Sequence, residues 1–160
     1  LTVPPFTRRT MIYVHPGSGS PRKNWPLKNW LALIPQLPAP ATVILGEAEL
    51  ENWSRGAPAA EVARNAARAP CPQQILVQPS LEDLVAHLST CALFLGHDSG
   101  ISHLAAACGA RCVLLFGPTE PSIWAPPAPN VQVLRPGREL SAISVEAVRQ
   151  AAELALADRR

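Results

Sequence analysis

Short apolar runs of strand length recur along this chain, with helix-forming stretches between them. They are Met11-Ile-Tyr-Val-His15, Thr42-Val-Ile-Leu45, Ile75-Leu-Val77, Cys91-Ala-Leu-Phe-Leu95, Cys112-Val-Leu-Leu-Phe116 and Val131-Gln-Val-Leu134. Four of the six are followed at once by Gly or Pro, and the first is short and β-branched, which reads as strand rather than buried helix. Strands that are apolar on both faces suit a parallel sheet covered by helices on each side. The expected fold is therefore α/β, a Rossmann-like, doubly wound, mostly parallel sheet.

The intervening segments carry helix signals. Pro26 sits where a helix can start without losing a hydrogen bond. Trp30, Leu33, Ile34 and Leu37 give that helix one apolar face, and Pro35 distorts or ends it. Residues 61 to 68 read as helical. Ser80, with Asp83 three residues on, forms a capping signature for a helix through Leu84, Val85 and Leu88. His97-Asp-Ser-Gly100 opens another helix, which Gly109 should end. Ser144 caps a last one, from Val145 to Ala157.

Composition narrows the class. In 160 residues, 48% are hydrophobic and 16% charged, enough for a packed core and too apolar for general disorder. A net charge of +2 from scattered Lys and Arg argues against a nucleic-acid partner. The four cysteines, at 71, 91, 108 and 112, lack paired zinc spacing and read as buried thiols. No apolar run approaches the ~20 residues of a membrane span. Leu1-Thr-Val-Pro-Pro5 does not resemble a secretory leader, and a first residue other than Met fits a processed chain or a piece of a longer one. We expect a linker over residues 1–10 and one domain over residues 11–160.

In such folds ligands bind where strands end and helices begin, and three of these places stand out. Gly17-Ser-Gly-Ser-Pro-Arg-Lys23 can cradle a phosphate on backbone N–H groups, or be a solvated turn. It is not a Walker A loop, because no Gly precedes Lys23 and no Ser or Thr follows it; Arg22 also stands where a dinucleotide fingerprint needs its third glycine. Gly96-His-Asp-Ser-Gly100 offers a helix N-terminus to an anion, with His103 one turn on, or Asp98 or Ser99 simply caps the helix. Its order, Gly-x-x-Ser-Gly, is not a hydrolase nucleophile elbow. A metal on His97, Asp98 and His103 would match no standard spacing. The third place is Phe116-Gly-Pro-Thr-Glu-Pro121, where Thr119 brings a hydroxyl to the ligand edge. Trp124 beyond it reads equally as packing anchor or contact. Glu49 follows the second strand, where an acid often holds ribose hydroxyls, although Glu47 and Glu51 compete for the role.

Taken together, the segments resemble a known family. Pro16-Gly-Ser-Gly19, Lys23-Asn-Trp-Pro26, Leu45-Gly-Glu-Ala-Glu49, Ser80-Leu81, Asp98-Ser-Gly-Ile-Ser-His-Leu-Ala-Ala106 and Phe116-Gly-Pro-Thr-Glu-Pro-Ser-Ile-Trp124 resemble the C-terminal half of the heptosyltransferases, glycosyltransferase family 9. The resemblance runs from about residue 11 to residue 135. It implies the C-terminal half of a GT-B fold, the half that binds a nucleotide-sugar such as ADP-heptose. An N-terminal domain would supply the lipopolysaccharide-core-type acceptor site and the catalytic base. By resemblance Lys23 binds donor phosphate, Glu49 the ribose and Asp98 sugar hydroxyls. Ser99 and Gly100 offer N–H groups to the pyrophosphate, with His103 nearby. Ser18, Gly19, Leu81 and Thr119 complete the donor-binding set.

The resemblance further implies inverting transfer in the cytoplasm or at the inner face of the membrane, with no metal and no cofactor, the nucleotide-sugar being a substrate. His97 departs from the family's usual Asn, and Ile101-Ser102 from its Pro-Met, both on the sugar side. Two readings from other classes stay open: a non-catalytic nucleotide- or sugar-binding module of GT-B descent, and an epimerase of the same architecture, whose acid and base set is not evident here.

Overall fold

A computed structural model describes residues 11–47, 49–50 and 74–158. The expected linker over residues 1–10, the helix over residues 61–68, Glu51 and Cys71 lie outside the described residues.

Six strands form a single sheet in the order β3-β2-β1-β4-β5-β6, and every neighbouring pair is parallel. The strands are β1 (Met11–Val14), β2 (Ala41–Leu45), β3 (Gln74–Val77), β4 (Cys91–His97), β5 (Arg111–Leu115) and β6 (Val131–Leu134). The expected "mostly parallel" sheet is parallel throughout, in the doubly wound order of nucleotide-binding folds. Helices bounded within the described residues are α1 (Leu27–Leu33), α2 (Leu81–Ser89), α3 (Gly100–Ala107), α4 (Pro121–Trp124) and α5 (Val145–Ala157).

Alternation along the strands builds a core on each face. Ile12, Val14, Leu93, Leu95, Val113 and Leu115 meet Trp30, Leu33 and Val148 of α1 and α5. Tyr13, Phe94, Cys112 and Leu114 meet Leu84, Leu88, Ala105 and Ala106 of α2 and α3. The strands of the sheet centre are therefore apolar on both sides, which is why they read as continuous runs. Among the described residues no helix is long and apolar enough to cross a membrane.

The helix ends follow their local chemistry. The Ser80 side chain accepts the Asp83 N–H, and the Ser144 side chain accepts the Ala147 N–H. Pro26 lies one residue outside α1 rather than in its first turn, and Pro35 sits in a 3₁₀ turn (Ile34–Gln36) that closes the helix. After α3 the Gly109 N–H reaches the Ala106 carbonyl and the Ala110 N–H reaches the Ala105 carbonyl. This crossed pair needs a left-handed residue, and Gly109 has φ 76°.

Gly109→Ala should therefore lower stability by about 1–2 kcal/mol, the cost of a Cβ in that region. Gly137→Ala, whose added Cβ would meet nothing within 4 Å, should change it by less than about 0.5 kcal/mol. Urea unfolding of both variants checks the contrast.

Candidate functional site

Strand order reverses between β1 and β4, so the chain leaves these neighbours toward opposite faces of the sheet. A crevice opens between the departing loops at their carboxyl ends. The segments 17–23 and 117–121 follow the carboxyl ends of β1 and β5, and 96–100 spans the carboxyl end of β4, so all three share one edge of the sheet.

An open cleft of about 820 Å³ lies there. Ser18, Gly19, Glu49, Leu81, Ser99, Gly100 and His103 all line it. Lys23 and Asp98 join each other beside it, Nζ to Oδ2 at 3.1 Å. Thr119 is half-buried on the loop after β5, apart from the residues that line the cleft. Trp124 is 54% exposed, so it anchors nothing in the core; its carbonyl lies 3.0 Å from His103 Nε2.

The first loop is braced from within. The Ser18 hydroxyl donates to Asn24 Oδ1 at 2.6 Å and accepts the Ser20 N–H at 3.2 Å. A 3₁₀ turn (Pro21–Lys23) then carries Lys23 toward Asp98. Glycine is required at its start. A Cβ on Gly17 would lie 1.9 Å from Glu49 Cγ, and one on Gly46 would lie 2.5 Å from Glu49 Oε2. The Glu49 side chain thus rests on bare backbone from two strand ends, whereas Glu47 on the same helical turn is exposed.

At the mouth of α3, Ser99 is the cap: its hydroxyl accepts the Ser102 N–H at 3.4 Å. The N–H groups of Gly100 and Ile101 come first in the helix and have no intrahelical acceptor. A Cβ on Gly100 would meet nothing within 4 Å, so this helix end is open to the cleft. Asp98 does not cap; it is turned to Lys23.

Two histidines complete the site, and sequence reasoning missed what they do. His15, at the end of β1, is 4% exposed and lines the cleft with Nε2 4.0 Å from Glu49 Oε2. Its Nδ1 is buried and has no hydrogen-bond partner among the described residues. His97 has no exposed surface at all. Its Nε2 accepts the Trp25 N–H at 2.8 Å, and its Nδ1 lies 3.1 Å from the Gly17 carbonyl. An acceptor on one nitrogen and a carbonyl on the other require the neutral Nδ1–H tautomer. Both ring nitrogens are thus spent inside the protein, which removes His97 from any metal set with Asp98 and His103. The ring is in the core, edge-on to Trp30 with centroids 5.4 Å apart. The signal lay in the strand. Once β4 runs on to His97, that residue alternates with Leu93 and Leu95 toward the α1 face. His15 had a weaker signal, a lone polar residue closing an apolar strand at the switch point.

The comparisons with known proteins fit this geometry. Residues 2–152 match the family model for glycosyltransferase family 9 (heptosyltransferase). The chain belongs to glycosyltransferase family 9. A curated member, lipopolysaccharide heptosyltransferase 1 of Escherichia coli O18:K1:H7, is 32% identical over 130 residues, 80% of this chain and 38% of that protein. Among solved structures, E. coli heptosyltransferase WaaC with ADP superposes with a TM-score of 0.76 at 26% identity, covering 96% of this chain and 46% of that one. A family 9 glycosyl transferase from Veillonella parvula gives the same TM-score at 23% identity, over 93% of this chain and 47% of that one. The fold is therefore one half of a GT-B glycosyltransferase, and the chain spans less than half the length of these family 9 relatives.

The buried histidines should make this family 9 domain less stable as pH falls. Burial, offset only in part by the hydrogen bond to Gly17, pushes His97 down to about 3, and the nearby His15 and Lys23 charges push the same way. Burial also lowers His15, outweighing the Glu49 charge that favours its protonated form. Unfolded histidines take up a proton near 6.5, whereas the folded rings resist it. The unfolded state thus binds more protons between about pH 6.5 and 3, and stability falls as pH falls through that window. His97 alone should remove about 2 kcal/mol between pH 7.5 and pH 5. Urea unfolding at the two pH values measures it, and a His97→Gln variant should show a correspondingly flatter response.

Proposed function

We propose that this chain is the donor-binding half of an inverting glycosyltransferase, taking an ADP-linked heptose or a similar nucleotide-sugar for transfer to a lipopolysaccharide-core-type acceptor. The observation that carries the reading is the cleft at the switch point. It gathers seven of the ten residues assigned to the donor, and the Lys23–Asp98 pair stands beside it. Family membership and the ADP named for the solved E. coli relative support the nucleotide.

The chemistry follows from charge. In inverting transfer an acceptor oxygen displaces a nucleoside diphosphate from the anomeric carbon, and negative charge grows on the leaving phosphate. In this reading Lys23 and the N–H groups of Ser99 and Gly100 meet that charge, preorganised at the helix end, with His103 nearby. Glu49 takes the ribose hydroxyls, with Gly17 and Gly46 letting it lie against the backbone. Asp98 takes sugar hydroxyls. Ser18, Gly19, Leu81 and Thr119 complete the donor contacts, without a metal or a cofactor. The acceptor site and the general base belong to an N-terminal domain, and the enzyme works in the cytoplasm or at the inner face of the membrane. Family membership favours transfer over the alternative of a non-catalytic binding module, which would carry the same nucleotide contacts.

Calorimetry with ADP tests the donor site. The chain alone should bind in the micromolar to millimolar range, about −8 to −4 kcal/mol, since half of a closed cleft is missing. Lys23→Ala should weaken this at least tenfold, the loss expected when one partner of a partly desolvated charge pair is removed. Lys28→Ala, on the exposed side of α1, should leave it within twofold. Equal losses at both positions, or no binding at millimolar ADP, would remove the assignment.

Transfer itself should be absent from this chain. Displacement needs an acceptor hydroxyl held in line with a base within hydrogen-bond reach. Product formation from ADP-heptose and a core acceptor, followed by mass spectrometry, should stay far below the ~1–10³ s⁻¹ typical of enzymes. Turnover in that range would place the base on this domain.

A further inference from the structure

We propose that His97 is a positioning residue that sets the shape of the loop from Gly17 to Trp25, and through it the presentation of Ser18, Gly19 and Lys23 to the cleft. The inference rests on the donor-site reading for its ligand, and on geometry for the rest.

The loop has little of its own to hold it. It contains Gly17 and Gly19, which add backbone freedom, and its internal braces are the Ser18 hydroxyl and one 3₁₀ turn. Its far end is fixed. Trp25 is buried, its indole N–H donates to the Ile143 carbonyl at 2.9 Å, and its ring meets Trp30 edge-on with centroids 5.0 Å apart. Its near end, at Gly17, is bare backbone under Glu49. One imidazole joins the two, donating to the Gly17 carbonyl and accepting from the Trp25 N–H. The width and rigidity of the ring therefore set how far apart the loop ends stand.

No water can take over the task, because the ring and both of its partners' contacts are buried. The main chain at the same residue is anchored as well. The Ser102 hydroxyl donates to the His97 carbonyl at 2.5 Å, which ties the same residue to α3 and its open N-terminus. His97 thus joins the two loops that flank the crevice, the one carrying Lys23 and the one carrying Gly100. It is not among the residues that line the cleft, so it acts on a ligand through these loops.

Two substitutions divide the clasp. His97→Asn can still donate to Gly17 from its shorter amide but falls short of Trp25. His97→Gln can still accept from Trp25 but loses the rigid link to Gly17. Each should weaken ADP about tenfold, the usual worth of one well-placed buried hydrogen bond. Adenosine, which lacks the phosphates, should bind each variant within twofold of the unaltered chain. Equal loss of ADP and adenosine, or ADP binding within twofold in a folded variant, would overturn the proposal.

Nitrogen-15 spectra of the unaltered chain supply a second readout. They should show a protonated Nδ1 and a bare Nε2 on His97, and each variant should shift the amide signals of residues 18 to 23 with the sheet signals in place. A protonated Nε2, or unmoved loop signals in both variants, would overturn the proposal without any ligand. If the unaltered chain binds neither ADP nor adenosine, the donor-site reading fails by itself, and the loop signals then decide the role of His97: shifted in the variants they support it, unmoved they overturn it.

Discussion

Everything at the ligand edge depends on β1 and β4 being neighbours in a parallel sheet. Parallel pairing sends both carboxyl ends to one edge. The reversal of strand order sends the following helices to opposite faces, α1 against Val148 and the α5 side, α3 against Phe94 and the α2 side. No loop needs to be long to make a crevice under that constraint. Residues just past the strand ends line it: His15 and Gly46 directly after β1 and β2, and Ser99 two residues beyond β4.

The same constraint explains why polar groups are found so deep. A loop that turns away over a sheet edge buries some of its own amides, and each must find a partner. Here the Gly17 carbonyl and the Trp25 N–H lie too far inside to be hydrated, and the neutral His97 ring answers both. A charged ring could not, since a second N–H would face the Trp25 amide. Burial and function thus ask the same thing of this residue: it must stay neutral. Lys23 and Asp98 resolve the opposite problem, two charges brought together at 25% and 10% side-chain exposure, where each lessens the cost of desolvating the other.

Much of the fold was legible because its signals are local. The strands announced themselves through apolar runs, and Ser80, Ser144 and Gly109 marked helix boundaries through cap chemistry that involves only near neighbours. Of the site, the backbone features were legible: glycines and a cap at strand ends. The side-chain partnerships were not. That Asp98 turns to Lys23 rather than capping α3, and that His97 faces inward, depend on contacts across more than seventy positions of sequence. Ending β4 at Leu95 left His97 in a loop, and two more residues of strand turn it into the core.

Glu49 shows what such packing implies for variation. One side chain occupies the space that a Cβ would need at both Gly17 and Gly46. The three positions are therefore epistatic. Alanine at either glycine is excluded while Glu49 keeps this rotamer, and a shorter residue at 49 makes room at both together. A lineage that adds a side chain at either glycine needs a shorter residue at 49 or a Glu49 carboxylate swung away from His15, so the acid after β2 and the glycine that opens the loop after β1 are coupled in their variation.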